Sequence, residues 1–159
     1  MKKIFFIFIF IFTIFNSQAQ AALQDWILTN EFIQPLIPGD NSEDFGRVIY
    51  RTYEKKSPLK KFEIILTEGK GTGNLYIPEK INDAKKLMPA SEYKILNING
   101  RKAILENQSY LPLALAIQVD NNVILNIESS SLNQEELISI AKEFLLSWKN
   151  IKSDSFQAR

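Results

Sequence analysis

The chain reads as one α+β domain, with an antiparallel sheet of about six strands in the order β-β-α-β-β-β-β-α, covered by a short helix and a long C-terminal amphipathic helix. Three observations carry that expectation. Residues 47–54, "RVIYRTYE", and 61–68, "KFEIILTE", alternate apolar and polar positions and are rich in β-branched and aromatic side chains. Asn99-Gly100 lies between two apolar-rich runs, and Asn-Gly is the preferred pair for a type I′ hairpin because both central residues take positive φ. Leu137, Ile140, Ala141, Phe144, Leu145 and Trp148 recur at the spacing of a single helix face.

The N-terminus has a different character. Lys2 and Lys3 precede an unbroken apolar run from Ile4 to Phe12, followed by Ala19-Gln20-Ala21. Basic, then apolar, then small-x-small is the order of a secretory signal peptide, expected over residues 1–21 with cleavage after Ala21 and Ala19 as second choice. The apolar run is shorter than the ~20 residues that cross a bilayer. The expected product is periplasmic or secreted, with no stable membrane anchor after cleavage. Removing 21 residues from 159 leaves 138, enough for one domain with a sizeable core.

Residues 22–46 mix scattered apolar side chains with Pro35, Pro38, Gly39 and an acidic cluster, and read as an irregular lead-in. Within it Trp26, Ile27, Phe32, Ile33, Leu36 and Ile37 are expected to pack against the domain. The strands 47–54 and 61–68 are joined through "KKSPLK", where Pro58 suits a turn, so they form a hairpin. "PEKINDAKKLMP" then opens a short helix at Pro78, with Glu79 in its first turn, and Pro89 stops it after Met88. Around Asn99-Gly100 the two-residue loop sets Ile98 opposite Arg101, Leu96 opposite Ala103 and Ile95 opposite Ile104. A second hairpin pairs residues 111–119 with 123–130 across Asp120-Asn121-Asn122. Ser131 with Gln134 makes a capping box for the last helix, and Glu135 and Glu136 suit its positive end. The α+β domain is placed at residues 47–149 and a flexible tail at 150–159.

Composition excludes more chemistry than it suggests. The chain has no cysteine and no histidine, which removes Ser-His-Asp and Cys-His triads, thiol redox chemistry and the usual zinc and copper sites. Lys2 and Lys3 more than account for the net charge of +1, so the mature chain sits near −1 and nucleic acid is not an expected partner.

The stretch Thr67–Asn74, "TEGKGTGN", holds three of the six glycines. A Walker A loop needs its lysine and hydroxyl to follow the last glycine and open a helix, whereas Lys70 precedes Gly71 and the next helix begins near Pro78. The G-x-G-x-G spacing also fails the dinucleotide fingerprint. What remains is a small anion or ligand loop built from Gly69, Lys70, Gly71, Thr72, Gly73 and Asn74, set against a plain connection between elements. Asp40–Gly46 begins like an EF-hand loop, but Phe45 stands at the glycine position and Arg51 at the bidentate glutamate position. Glu63, Glu68, Glu79 and Glu106 are acids a hydrolase could pair, although no motif joins them. Lys55, Lys56, Lys60 and Lys61 make a basic hairpin tip of the kind that is usually solvated. No cofactor or metal is expected.

From "KFEIILTE" through the Pro-Glu helix start, the pair "LALAIQVDNNVILNIESS" and the C-terminal helix, the order and spacing resemble the PsbP-like extrinsic proteins over about residues 61–148. The resemblance implies a fold and no function, and the absence of histidine leaves nothing to match that family's metal sites. The leading expectation is a noncatalytic domain binding a protein or envelope component. A small hydrolase using carboxylates such as Glu68 and Glu106 is the alternative, and a carrier of a small apolar ligand the third.

Overall fold

The computed structural model describes residues 25–36, 45–77 and 91–155, with backbone alone over 149–155. Seven strands form one sheet: β1 (Ile27–Pro35), β2 (Arg47–Lys56), β3 (Leu59–Glu68), β4 (Glu92–Ile98), β5 (Arg101–Asn107), β6 (Leu113–Asp120) and β7 (Val123–Ser129), followed by helix α1 (Gln134–Ser155). Their order across the sheet is β1-β2-β3-β7-β6-β5-β4, with every pair antiparallel. Two local meanders, β1 to β3 and β4 to β7, are therefore sewn together by β3 against β7. The chain leaves β3 in mid-sheet and re-enters at the far edge, β4.

Each face follows from the alternation of side chains along the strands. Phe62, Ile64 and Leu66 of β3, Ile127 and Leu125 of β7, Leu115 and Ile117 of β6, and Ala103 and Leu105 of β5 point to one face and are buried. Helix α1 lies on that face and buries Leu137, Ile140, Ala141, Phe144 and Leu145. Fully burying a side chain such as Phe62 or Leu125 contributes roughly 1.5–3 kcal/mol, so this layer carries the domain's stability. Trp26 meets Phe62 edge to face at 4.6 Å and Tyr53 stacks on it at 5.0 Å, extending the layer toward β1. Core side chains occupy the space between sheet and helix where an apolar ligand would have to sit.

The local hairpin signals hold. Asn99 and Gly100 take φ of 52° and 81°, and Ile98 faces Arg101, Leu96 faces Ala103 and Ile95 faces Ile104. The expected six strands and two helices are corrected to seven strands and, among the described residues, a single α-helix. The added strand is β1, inside the segment read as an irregular lead-in. The helix expected from Pro78 to Met88 lies outside the described residues. The capping box also moves: the Asn133 side chain accepts from the Glu136 amide at 3.0 Å, while Glu136 accepts from the Asn133 amide at 3.1 Å. Ser131 is engaged elsewhere, its hydroxyl accepting from the Lys61 amide and donating to the Lys61 carbonyl where β7 has run out. Finally, α1 continues through Ser155, beyond the point where the sequence placed a flexible tail.

Candidate functional site

The glycine loop folds as a clasp. Lys70–Thr72 make one 3-10 turn after Gly69, which has φ of 119°. The Gly69 amide donates to the Asn122 carbonyl at 3.0 Å, the Gly71 amide to Phe45 at 2.8 Å and the Thr72 amide back to Gly69 at 3.0 Å. Three of the loop's amides, those of Gly69, Gly71 and Thr72, are thus already committed to carbonyls. The glycines admit close approach instead: a Cβ on Gly69 would fall 2.2 Å from the Gly46 Cα, and one on Gly71 would fall 2.1 Å from the Phe45 ring. Lys70 and Asn74 point to solvent, and the Thr72 hydroxyl is buried without a partner.

Glu68 and Glu106 do not converge, although Glu63 faces Glu128 across β3 and β7. Glu68 lies at the end of β3 on the face that carries the core, bonded to Arg47 at 2.6 Å. Glu106 lies on the opposite face of β5, with β7 and β6 between the two strands. One oxygen of Glu106 accepts from Ser91 at 2.7 Å, Gln108 at 2.6 Å and Tyr93 at 3.2 Å. Loss of water holds the Tyr93 hydroxyl above its usual pKa, and the Glu106 charge adds to the rise. This is a satisfied carboxylate among neutral donors. Glu63 pairs with Lys61, and Glu79 lies outside the described residues, as do residues 40–44 of the acidic stretch. Among the described residues no three acids gather to hold a metal ion. The basic hairpin tip is largely neutralised, since Lys55 meets Asp25, Lys60 meets Glu136 and Lys61 meets Glu63. An open cleft of about 230 Å³ lies beside the start of α1, among Glu92, Lys94, Leu113 and Gln134, where Lys94 already bonds Gln134.

The feature that stands out lies in the segment that the sequence reads as an irregular lead-in. Strand β1 forms one edge of the sheet and is exposed along all nine residues. Ile27, Leu28, Phe32 and Ile33 remain 47–55% exposed, on both faces of the strand. Sheet edges are ordinarily guarded by charges that discourage another strand from pairing. Edge strand β4 has Glu92 and Lys94, whereas β1 has Glu31 alone, and that carboxylate is held by Arg51.

The backbone of β1 is also ready to pair. The Leu36 amide donates to Gly46 at 2.8 Å and so points toward β2. Because donors alternate along a strand, Gln34 and Phe32 also point toward β2, while Glu31 and Ile33 present their amides to the open edge. Pro35, which has no amide hydrogen, falls on the open side, so the ladder with β2 loses nothing while a strand added to the edge would find no donor at that residue. A bulge between Leu28 and Asn30 resets the phase, placing Ile27 on the same face as Phe32 and Leu28 on the same face as Ile33. That odd spacing hides the strand from a search for strict alternation. The recoverable signal was the run of apolar pairs with a single charge. Comparison of the chain with family models, with curated proteins and with solved structures returns no match in any of the three.

Proposed function

We propose that the chain is a noncatalytic exported domain that binds a protein or envelope component by accepting an added strand along β1. The observation that supports this reading is the exposed, largely apolar edge strand with a single charge, Glu31, held by Arg51, since strand addition takes affinity from backbone hydrogen bonds and specificity from alternate side chains. Export rests on the basic, apolar and small-x-small order of residues 1–21. The PsbP-like order over about residues 61–148 supplies a scaffold for the reading and no site.

Capture from envelope fractions tests it. The unaltered chain should retain a partner that Phe32→Lys and Ile33→Lys both release, because each puts a charge on the edge. Retention by both variants at the unaltered level would move the binding surface elsewhere.

A further inference from the structure

We infer that the strand accepted by β1 is β1 of a second copy of this chain, joined antiparallel about a twofold axis through Phe32. The inference rests on reading β1 as the binding edge and names its partner. Three properties of the strand fit a copy of itself.

Direction of the donors comes first. In an antiparallel pair, residues that face each other either both direct their backbone groups across the seam or both direct them away. Centring the axis on Phe32 sets Glu31 opposite Ile33 of the other copy, twice, and these are the residues whose amides face the open edge. Both pairs can therefore exchange two hydrogen bonds each, while Phe32 meets Phe32 as the closer, non-bonded pair.

Charge comes second. Centring on Glu31 would set two carboxylates face to face, which is unfavourable across strands. Centring on Phe32 sets Glu31 against an isoleucine and leaves its ion pair with Arg51 intact. It also sets Asn30 opposite Gln34, so polar side chains meet polar ones on the same face.

Aromatic continuity is the third property. Phe32 and Tyr50 already sit with ring centroids 5.9 Å apart. The twofold axis would extend this into a row of Tyr50, Phe32, Phe32 and Tyr50 across the seam, covering the Phe32 rings, which are otherwise half exposed. Such pairs add about 0.5–1.5 kcal/mol beyond the area they bury. Two strands meeting edge to edge make an interface below about 1,200 Å², so the dimer should be weak and depend on concentration.

The absence of cysteine makes the register directly testable. Non-bonded antiparallel partners have Cα atoms about 4.5 Å apart, inside the roughly 4.4–6.8 Å that a disulfide spans. Protein purified from cells expressing the full chain should sediment as monomer and dimer in proportions set by concentration. The Phe32→Cys variant should form a reducible cross-linked dimer under mild oxidation. Asn30→Cys should not, because about 14 Å of strand separates its two copies. Phe32→Lys should weaken the dimer at least tenfold without loss of urea stability, and mixing it with Phe32→Glu should restore association.

A chain that stays monomeric at millimolar concentration overturns the inference, as does cross-linking of Asn30→Cys in place of Phe32→Cys. In either case, release of an envelope partner by Phe32→Lys would leave β1 standing as a binding edge. If the capture is also insensitive to Phe32→Lys, both readings fall together.

Discussion

The contact between Gly71 and Phe45 can be tested through the coupling between the two residues. An alanine at position 71 would put its Cβ 2.1 Å from the Phe45 ring, against 3.4 Å for ordinary contact, so the ring must move by more than an ångström. Overpacking of that kind costs about 1–3 kcal/mol. For a domain of this size the cost corresponds to a fall in Tm of roughly 3–15 °C. In a Phe45→Ala background the obstacle is gone, and Gly71 is not held at positive φ. There Gly71→Ala should be neutral or stabilising by about 0.4–1 kcal/mol through the unfolded chain. Urea unfolding followed by Trp26 and Trp148 fluorescence gives the four corners of the cycle. A coupling of about 1–3 kcal/mol is expected, with the double variant more stable than the sum of the single ones. Equal cost in both backgrounds, within about 0.5 kcal/mol, would mean that the ring does not pack on the glycine.

Other substitutions follow from the same layers. Leu145→Ala removes a side chain with 0% exposure between helix and sheet and should cost about 2–5 kcal/mol in urea. Its neighbour Leu146, 59% exposed, should tolerate alanine within about 0.5 kcal/mol. Glu136 is held below the usual carboxylate range, first by its bond from Lys60 and then by the Asn133 amide. A lowered folded-state pKa stabilises the fold above the unfolded value of about 4.3 and loses that contribution as pH falls through the folded value. Glu136→Gln should therefore flatten the acid limb of a stability-against-pH curve while leaving its shape near pH 8 unchanged; an unchanged acid limb would show that Glu136 bears no part of it.

What was legible in the sequence is what is decided nearby in the chain. Asn99-Gly100 carries its own turn geometry, so the register of β4 on β5 could be read residue by residue. The stripe from Leu137 to Trp148 likewise identifies the face of α1. Non-local choices were not legible. Nothing near Ser131 reveals that its hydroxyl is drawn off by Lys61, seventy residues away, leaving Asn133 to cap the helix. Spacing alone excluded the two nucleotide fingerprints at Gly69–Gly73, but the reason for Gly69 and Gly71 lies in Gly46 and Phe45 across the loop. Strand β1 was hidden twice, by a bulge that breaks its alternation and by an edge position that leaves both faces exposed. Its pattern has no buried side for a periodicity to report.

Everything proposed for this chain turns on whether the outer side of β1 is open. Amide hydrogen exchange by NMR on a dilute sample of the mature chain asks this residue by residue. Phe32 and Gln34, bonded toward β2, should be protected, while Glu31 and Ile33 should exchange close to the rate of a free strand. Raising the concentration or adding a bound partner should then slow Glu31 and Ile33 selectively. If Glu31 and Ile33 are instead protected in the dilute monomer to the same degree as Phe32 and Gln34, the edge is already covered and β1 is not the binding surface.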